Sequence, residues 1–175
     1  MPPGELQFWG TAAAAPTSPL NQIIFAVTSA NQQHSRYNPI PFHVRAIGLD
    51  RFARDLEMSL GIQYRIFGIP HYDPTPRFAR HVLQEIEEQS EGQIELTPDN
   101  CVVLCSTPAV ITMYQQMGFA ILPAEWSEVG NLSETPLDLL RVFVQAGENW
   151  TTNALIREKM APTTFDLWQD FPEVP

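Results

Sequence analysis

Short apolar runs alternating with stripes at helical spacing constrain this chain more than any other feature. The first run, Gln22-Ile23-Ile24-Phe25-Ala26-Val27, has strand length and the continuous apolar character of a strand buried on both faces. A polar stretch from Thr28 to Pro41 follows, and then Leu49, Phe52, Ala53, Leu56 and Leu60 recur at helical spacing until Gly61. Ile62 to Ile69 predicts a second strand and Pro70 to Pro76 a turn. Phe78, Val82, Leu83 and Ile86 mark the buried stripe of a second helix ending near Gly92. Cys101 to Cys105 predicts a third strand. Pro108 opens a short helix with Val110, Ile111, Tyr114 and Met117 inward and Gly118 at its end, and Phe119 to Leu122 predicts a fourth strand. Thr135-Pro136-Leu137-Asp138 has the form of a capping box with proline at the first helical position, launching a helix through Leu140 and Val144 to Gly147. Asn153 to Met160 and Thr164 to Trp168 read as closing helices.

Strands separated by helices need right-handed crossovers, so the expected class is α/β: a Rossmann-like, doubly wound parallel sheet of four to five strands with helices on both faces. The length of 175 residues suits one domain. Residues 1–20, with four prolines and a four-alanine run, read as an irregular N-terminal arm, and 21–175 as the α/β domain with its C-terminal helices.

Charge narrows the partners. Acidic residues outnumber basic ones 20 to 10, and a net charge of -10 repels the phosphates of a long nucleic acid. Nine of the ten basic residues are Arg, the better bidentate partner of phosphate, so a local pocket for one small nucleotide stays open. Cys101 and Cys105 would stand about 13 Å apart on one strand face, too far to bridge. Without a disulfide framework, a signal peptide or an apolar run near the roughly 20 residues of a membrane span, a cytoplasmic protein with no membrane partner is expected. Homo-oligomerisation is left open.

Ligands of open parallel sheets bind outside the carboxyl ends of the strands. Three loops qualify: Thr28 to Pro41, Pro70 to Pro76, and Ser106 to Pro108. The first is long and dense in polar groups, offering Thr28, Ser29, Asn31, His34, Arg36 and Tyr37 as ligand-binding candidates. Its alternative reading is a solvated loop whose Asn, Ser and Pro form turns. Asp73, Ser106 and Thr107 are candidates on the other two, although Asp73-Pro74 is equally a turn former. Arg45, Arg77 and Arg141 are the natural phosphate clamps; Arg77, in the first turn of a helix, opposes the macrodipole unless an anion binds or Asp73 pairs with it. His43 enters a helix N-terminus, where its ring could bond a phosphate oxygen or stack on a neighbouring loop. Cys105 at a strand end suggests a cysteine-dependent hydrolase, a weaker reading than a buried structural cysteine. The histidines and cysteines show no zinc spacing.

From Pro41-Phe42-His43-Val44-Arg45-Ala46 onward the chain resembles the nicotinamide-nucleotide adenylyltransferase group of nucleotidyltransferases, whose sheet opens with a strand, a Pro-Phe-His-x-Gly-His segment and a helix. His43 falls on the first histidine, while Arg45 and Ala46 stand at the glycine and the second histidine. Cys105-Ser106-Thr107-Pro108-Ala109-Val110, with Tyr114 and Gly118-Phe119, is similar to the family's third strand, polar turn, helix and next strand. Leu140-Arg141 and Gly147-Glu148-Asn149-Trp150 resemble its late Ile-Arg and Gly-Glu-Asp/Asn-Trp segments. Pro136 and Asp138 stand where that family has Ser-x-Thr, with Ser133 and Thr135 displaced by three residues. The resemblance implies a Rossmann-like fold and transfer of AMP from Mg-ATP to a mononucleotide such as nicotinamide mononucleotide, a step of NAD biosynthesis. It implies catalytic roles for His43 and Arg141, with His34 a candidate to supply what Ala46 lacks. The departures define the alternative, a catalytically degenerate nucleotide-binding or regulatory module of the same fold.

Overall fold

Strand β1 (Gln22–Val27) pairs in parallel with β2 (Gln63–Gly68), Gln22 opposite Gln63 and Val27 opposite Gly68. The computed structural model describes residues 21–32, 38, 40–105, 107–123 and 136–171, and of 123, 136, 137, 139 and 140 it describes the backbone alone. The expected N-terminal arm lies outside these residues. The crossover between the strands is α1 (Phe42–Leu60), which begins directly after Pro41, seven residues earlier than its apolar stripe alone indicates. It ends at Gly61, whose φ of 68° is the left-handed cap conformation, with the cap N–H donating to the Glu57 carbonyl.

The second half repeats the plan on a smaller scale. After α2 (Phe78–Gln89), β3 (Val102–Cys105) pairs in parallel with β4 (Ala120–Pro123) through α3 (Pro108–Gln116), which opens on its proline and is followed by Gly118 at φ 89°. Helix α2 joins the halves. Its Val82 and Ile86 pack on Phe67 and Ile69 at the end of β2, while Ala79 packs with Tyr114 and Phe119 of the β3–α3–β4 unit. The chain closes with α4 (Pro136–Ala146), a 3-10 segment (Gly147–Thr152), α5 (Ala154–Lys159) and α6 (Pro162–Asp170). Phe143, Trp150, Phe165 and Trp168 form their core, with ring centroids 5.0–5.4 Å apart. This unit attaches to α1 where Leu167 meets Gly48 and Asp170 pairs with Arg51 at 2.7 Å.

The class and the parallel sense of both pairs agree with the sequence reading, and the short parallel sheets with helices are consistent with a Rossmann-like fold. The sheet itself differs. Among the described residues the four strands form two sheets of two, β1-β2 and β3-β4, rather than one doubly wound sheet of four to five. The reason lies in β3 and β4, only four residues each, which bury one face against α3 and leave Leu104 and its register partner Leu122 69% and 50% exposed. Helices on both faces would have covered that row. Helix α1 departs from its expected stripe too: Val44, Gly48 and Ala53 are buried, whereas Phe52 and Leu60 are exposed, because the face turned to the core is the one that meets Leu167. No helix among the described residues is long and apolar enough to cross a membrane.

Candidate functional site

The carboxyl edge of β1 and β2 is tied shut by backbone and side chain together. Past Val27 the chain turns: the Ile69 N–H donates to the Val27 carbonyl at 2.9 Å, and the Ala30 N–H donates to the Ile69 carbonyl at 2.8 Å, so both strand ends continue into one braced loop. Gly68 permits the approach. A Cβ there would lie 2.7 Å from the Phe42 ring and 3.0 Å from the Ala30 methyl, so only glycine lets the start of α1 and the β1 loop close over β2.

Arg45, one turn into α1, points back at this loop. Its two terminal nitrogens donate to the carbonyls of Thr28 at 2.8 Å and Ser29 at 2.9 Å. Burial lowers its pKa from the ordinary arginine value, and its buried Nε has no hydrogen-bond partner. Ser29 adopts φ 56°, a left-handed conformation that costs a non-glycine residue on the order of 1 kcal/mol. Its hydroxyl lies 3.0 Å from His71 Nδ1, and the His71 backbone N–H donates to Asn31 Oδ1 at 2.6 Å. Thr28, Ser29, Asn31 and Arg45 therefore come together, joined by His71, a histidine for which the sequence offered no motif. The signal that could have found it is its position two residues past the second strand run, where an open parallel sheet presents its ligand-facing loop.

His43 stands exposed in the first turn of α1, two residues before Arg45. Thr107 is the exposed N-cap of α3 and makes no side-chain cap bond. Asp73 and Arg77 are exposed; among the described residues neither side chain has an ion-pair partner, and Thr75 Oγ1 accepts instead from the Arg77 backbone N–H. Arg141, on α4, pairs with Asp138 at 2.9 Å. No hydrogen bond or ion pair among the described residues joins Asp73, Arg77, Thr107 or Arg141 to the Ser29 network. His34, Arg36, Tyr37 and Ser106 lie outside the described residues, as does Thr135 of the expected capping box. Cys105 is half-buried with its Sγ 4.0 Å from the Thr107 carbonyl, and Cys101 has its thiol pushed up by burial. The hollow beside α5 and α6, lined by Arg157, Met160, Phe165 and Asp166, holds none of the sequence-predicted residues.

Chemically, this edge gathers a guanidinium, a hydroxyl and the His71 imidazole beside the start of the 19-residue helix α1, whose first turn carries His43, on a chain that is otherwise strongly acidic. Such a set suits oxygen-rich anions of small ligands. No protein-family model matches the chain. It is similar to a nicotinamide-nucleotide adenylyltransferase of Archaeoglobus fulgidus, 23% identical over 133 residues that make up 75% of this chain and 68% of that protein.

Proposed function

We propose that this chain is a nucleotidyltransferase-like protein that transfers AMP from ATP to a mononucleotide such as nicotinamide mononucleotide. The observation that carries the reading is the position of Pro41-Phe42-His43: it opens α1 at the carboxyl edge of β1, beside a loop whose carbonyls are held by Arg45. The similarity to the Archaeoglobus enzyme supports it. In the reaction a phosphate oxygen of the acceptor forms a bond to the α-phosphorus of ATP, the bond from that phosphorus to the bridging oxygen breaks, and pyrophosphate leaves with the electron pair. The protein's part is to align the groups and offset the developing charge. His43 would donate to a phosphate oxygen from the helix start, and Arg141 would clamp the triphosphate after leaving Asp138. A Mg²⁺ carried on the triphosphate would neutralise part of its charge.

A second reading, a nucleotide-binding module without turnover, is favoured by one observation: Arg45, where the Pro-Phe-His-x-Gly-His segment has glycine, is committed to the protein's own carbonyls. Pyrophosphate release from Mg-ATP with a panel of mononucleotide acceptors separates the two. Release with one acceptor establishes transfer. ATP-dependent stabilisation with no release from any acceptor establishes the module, and the absence of both overturns each.

A further inference from the structure

We infer that His71 is a phosphate-oxygen donor of this edge and that Ser29 is the residue that positions its ring. The inference deepens the reading above and rests on it for the identity of the ligand, the phosphate chain of a nucleotide. Ser29 occupies a left-handed backbone conformation that glycine would adopt without strain. What serine adds there is one hydroxyl, and that hydroxyl's partner is His71 Nδ1, at 3.0 Å. The backbone of the same residue is anchored as well, its N–H donating to Asn31 Oδ1 at 2.6 Å. Two residues upstream, Ile69 is fully buried and bonded to Val27 and Ala30, so the loop that carries the histidine has a fixed root.

In the tautomer in which the serine hydroxyl donates to Nδ1, the ring's proton sits on Nε2. That N–H lies across an exposed ring and has no protein partner among the described residues. A ring tied to Ser29 on a backbone anchored to Asn31, with its free N–H outward, has met part of its ordering cost before any ligand arrives. The Arg45 guanidinium, bonded to the carbonyl of the same Ser29, adds positive charge to the turn. Phosphate oxygens are the acceptors that this combination favours.

The test measures binding of inorganic tripolyphosphate, ATP and uncharged adenosine to the whole chain by calorimetry, with circular dichroism checking each variant's fold. His71→Ala is expected to weaken tripolyphosphate and ATP about tenfold, the lower end for a hydrogen bond to a charged group, and to leave adenosine unchanged. His71→Gln, which keeps an N–H donor, recovers most of the loss. Ser29→Gly keeps the backbone conformation and the melting temperature yet weakens tripolyphosphate by roughly threefold, an effect on affinity without one on stability. Wild-type protein that binds no tripolyphosphate at millimolar concentration overturns the inference, as does His71→Ala with wild-type affinity or with equal loss for adenosine. Wild-type affinity together with undiminished pyrophosphate release in His71→Ala removes His71 from the site and leaves the adenylyl-transfer reading standing. Loss of tripolyphosphate affinity in His71→Ala, in a protein that releases no pyrophosphate, keeps the inference and removes that reading.

Discussion

Gly68 and Tyr114 carry opposite lessons about single positions. At Gly68 the lack of a side chain is the contribution, because a Cβ would meet the Phe42 ring at 2.7 Å. Gly68→Ala is therefore expected to lower stability in urea by about 1–3 kcal/mol, the usual cost of overpacking. At Tyr114 burial, reinforced by the charges that Cys101 and Cys105 can carry, pushes the phenol from 10.0 up to about 12. The folded chain thus keeps this proton at a pH where the unfolded chain has lost it, so stability falls as pH rises from about 10 to 12. Tyr114→Phe should remove that part of the alkaline loss, read as a shallower decline of melting temperature across that window. For His43→Ala and Arg141→Ala the expected outcome is a fall in pyrophosphate release of roughly 10²-fold each with the melting temperature nearly unchanged. His43 is exposed, and the exposed Arg141–Asp138 pair contributes little to stability. The place of His43 at the start of α1 was legible because Pro41 and Phe42 form a recognisable segment with it. The contact of His71 with Ser29 was not, since the two stand 42 positions apart and no local pattern encodes that distance.

Among the elements, those with a strong local signal stand where the sequence indicates: β1 spans Gln22–Val27, α2 starts at Phe78, α3 starts at Pro108, and Gly61 and Gly118 take the left-handed conformations that end a helix. Boundaries moved where tertiary contacts outweigh periodicity. Helix α1 extends back to Phe42 because that ring packs over Gly68, and α6 starts at Pro162, which supplies the first helical turn ahead of the expected Thr164. Helix α5 shows how much a cap can matter in a short element. With only six residues it relies on Asn153, whose Oδ1 accepts from the N–H groups of Leu155 and Ile156, and it buries Ile156 completely. Asn153→Ala is expected to cost about 1 kcal/mol in thermal unfolding, while Asn153→Asp should hold close to the parent value.

At the scale of the molecule, the order of elements and the parallel sense of each pair were legible in the alternation of patterns, whereas the grouping of strands into sheets was not. Periodicity reports that Leu104 and Leu122 are apolar; it does not report that their row stays exposed. The register of the two pairs also fixes how far the chain must travel before each can close. Val102 meets Ala120 after 18 residues, whereas Gln22 meets Gln63 only after 41. Loop-closure entropy favours the shorter span by roughly 0.7 kcal/mol, so the β3–α3–β4 unit should assemble first and the β1–β2 pair dock onto it late. In stopped-flow refolding, Val103→Ala is then expected to slow folding, and Ile24→Ala chiefly to speed unfolding. The Ser29 turn, at the far edge of the late pair, would come into being only after the rate-limiting step. A nucleotide bound there would lengthen the life of the folded chain without hastening its birth.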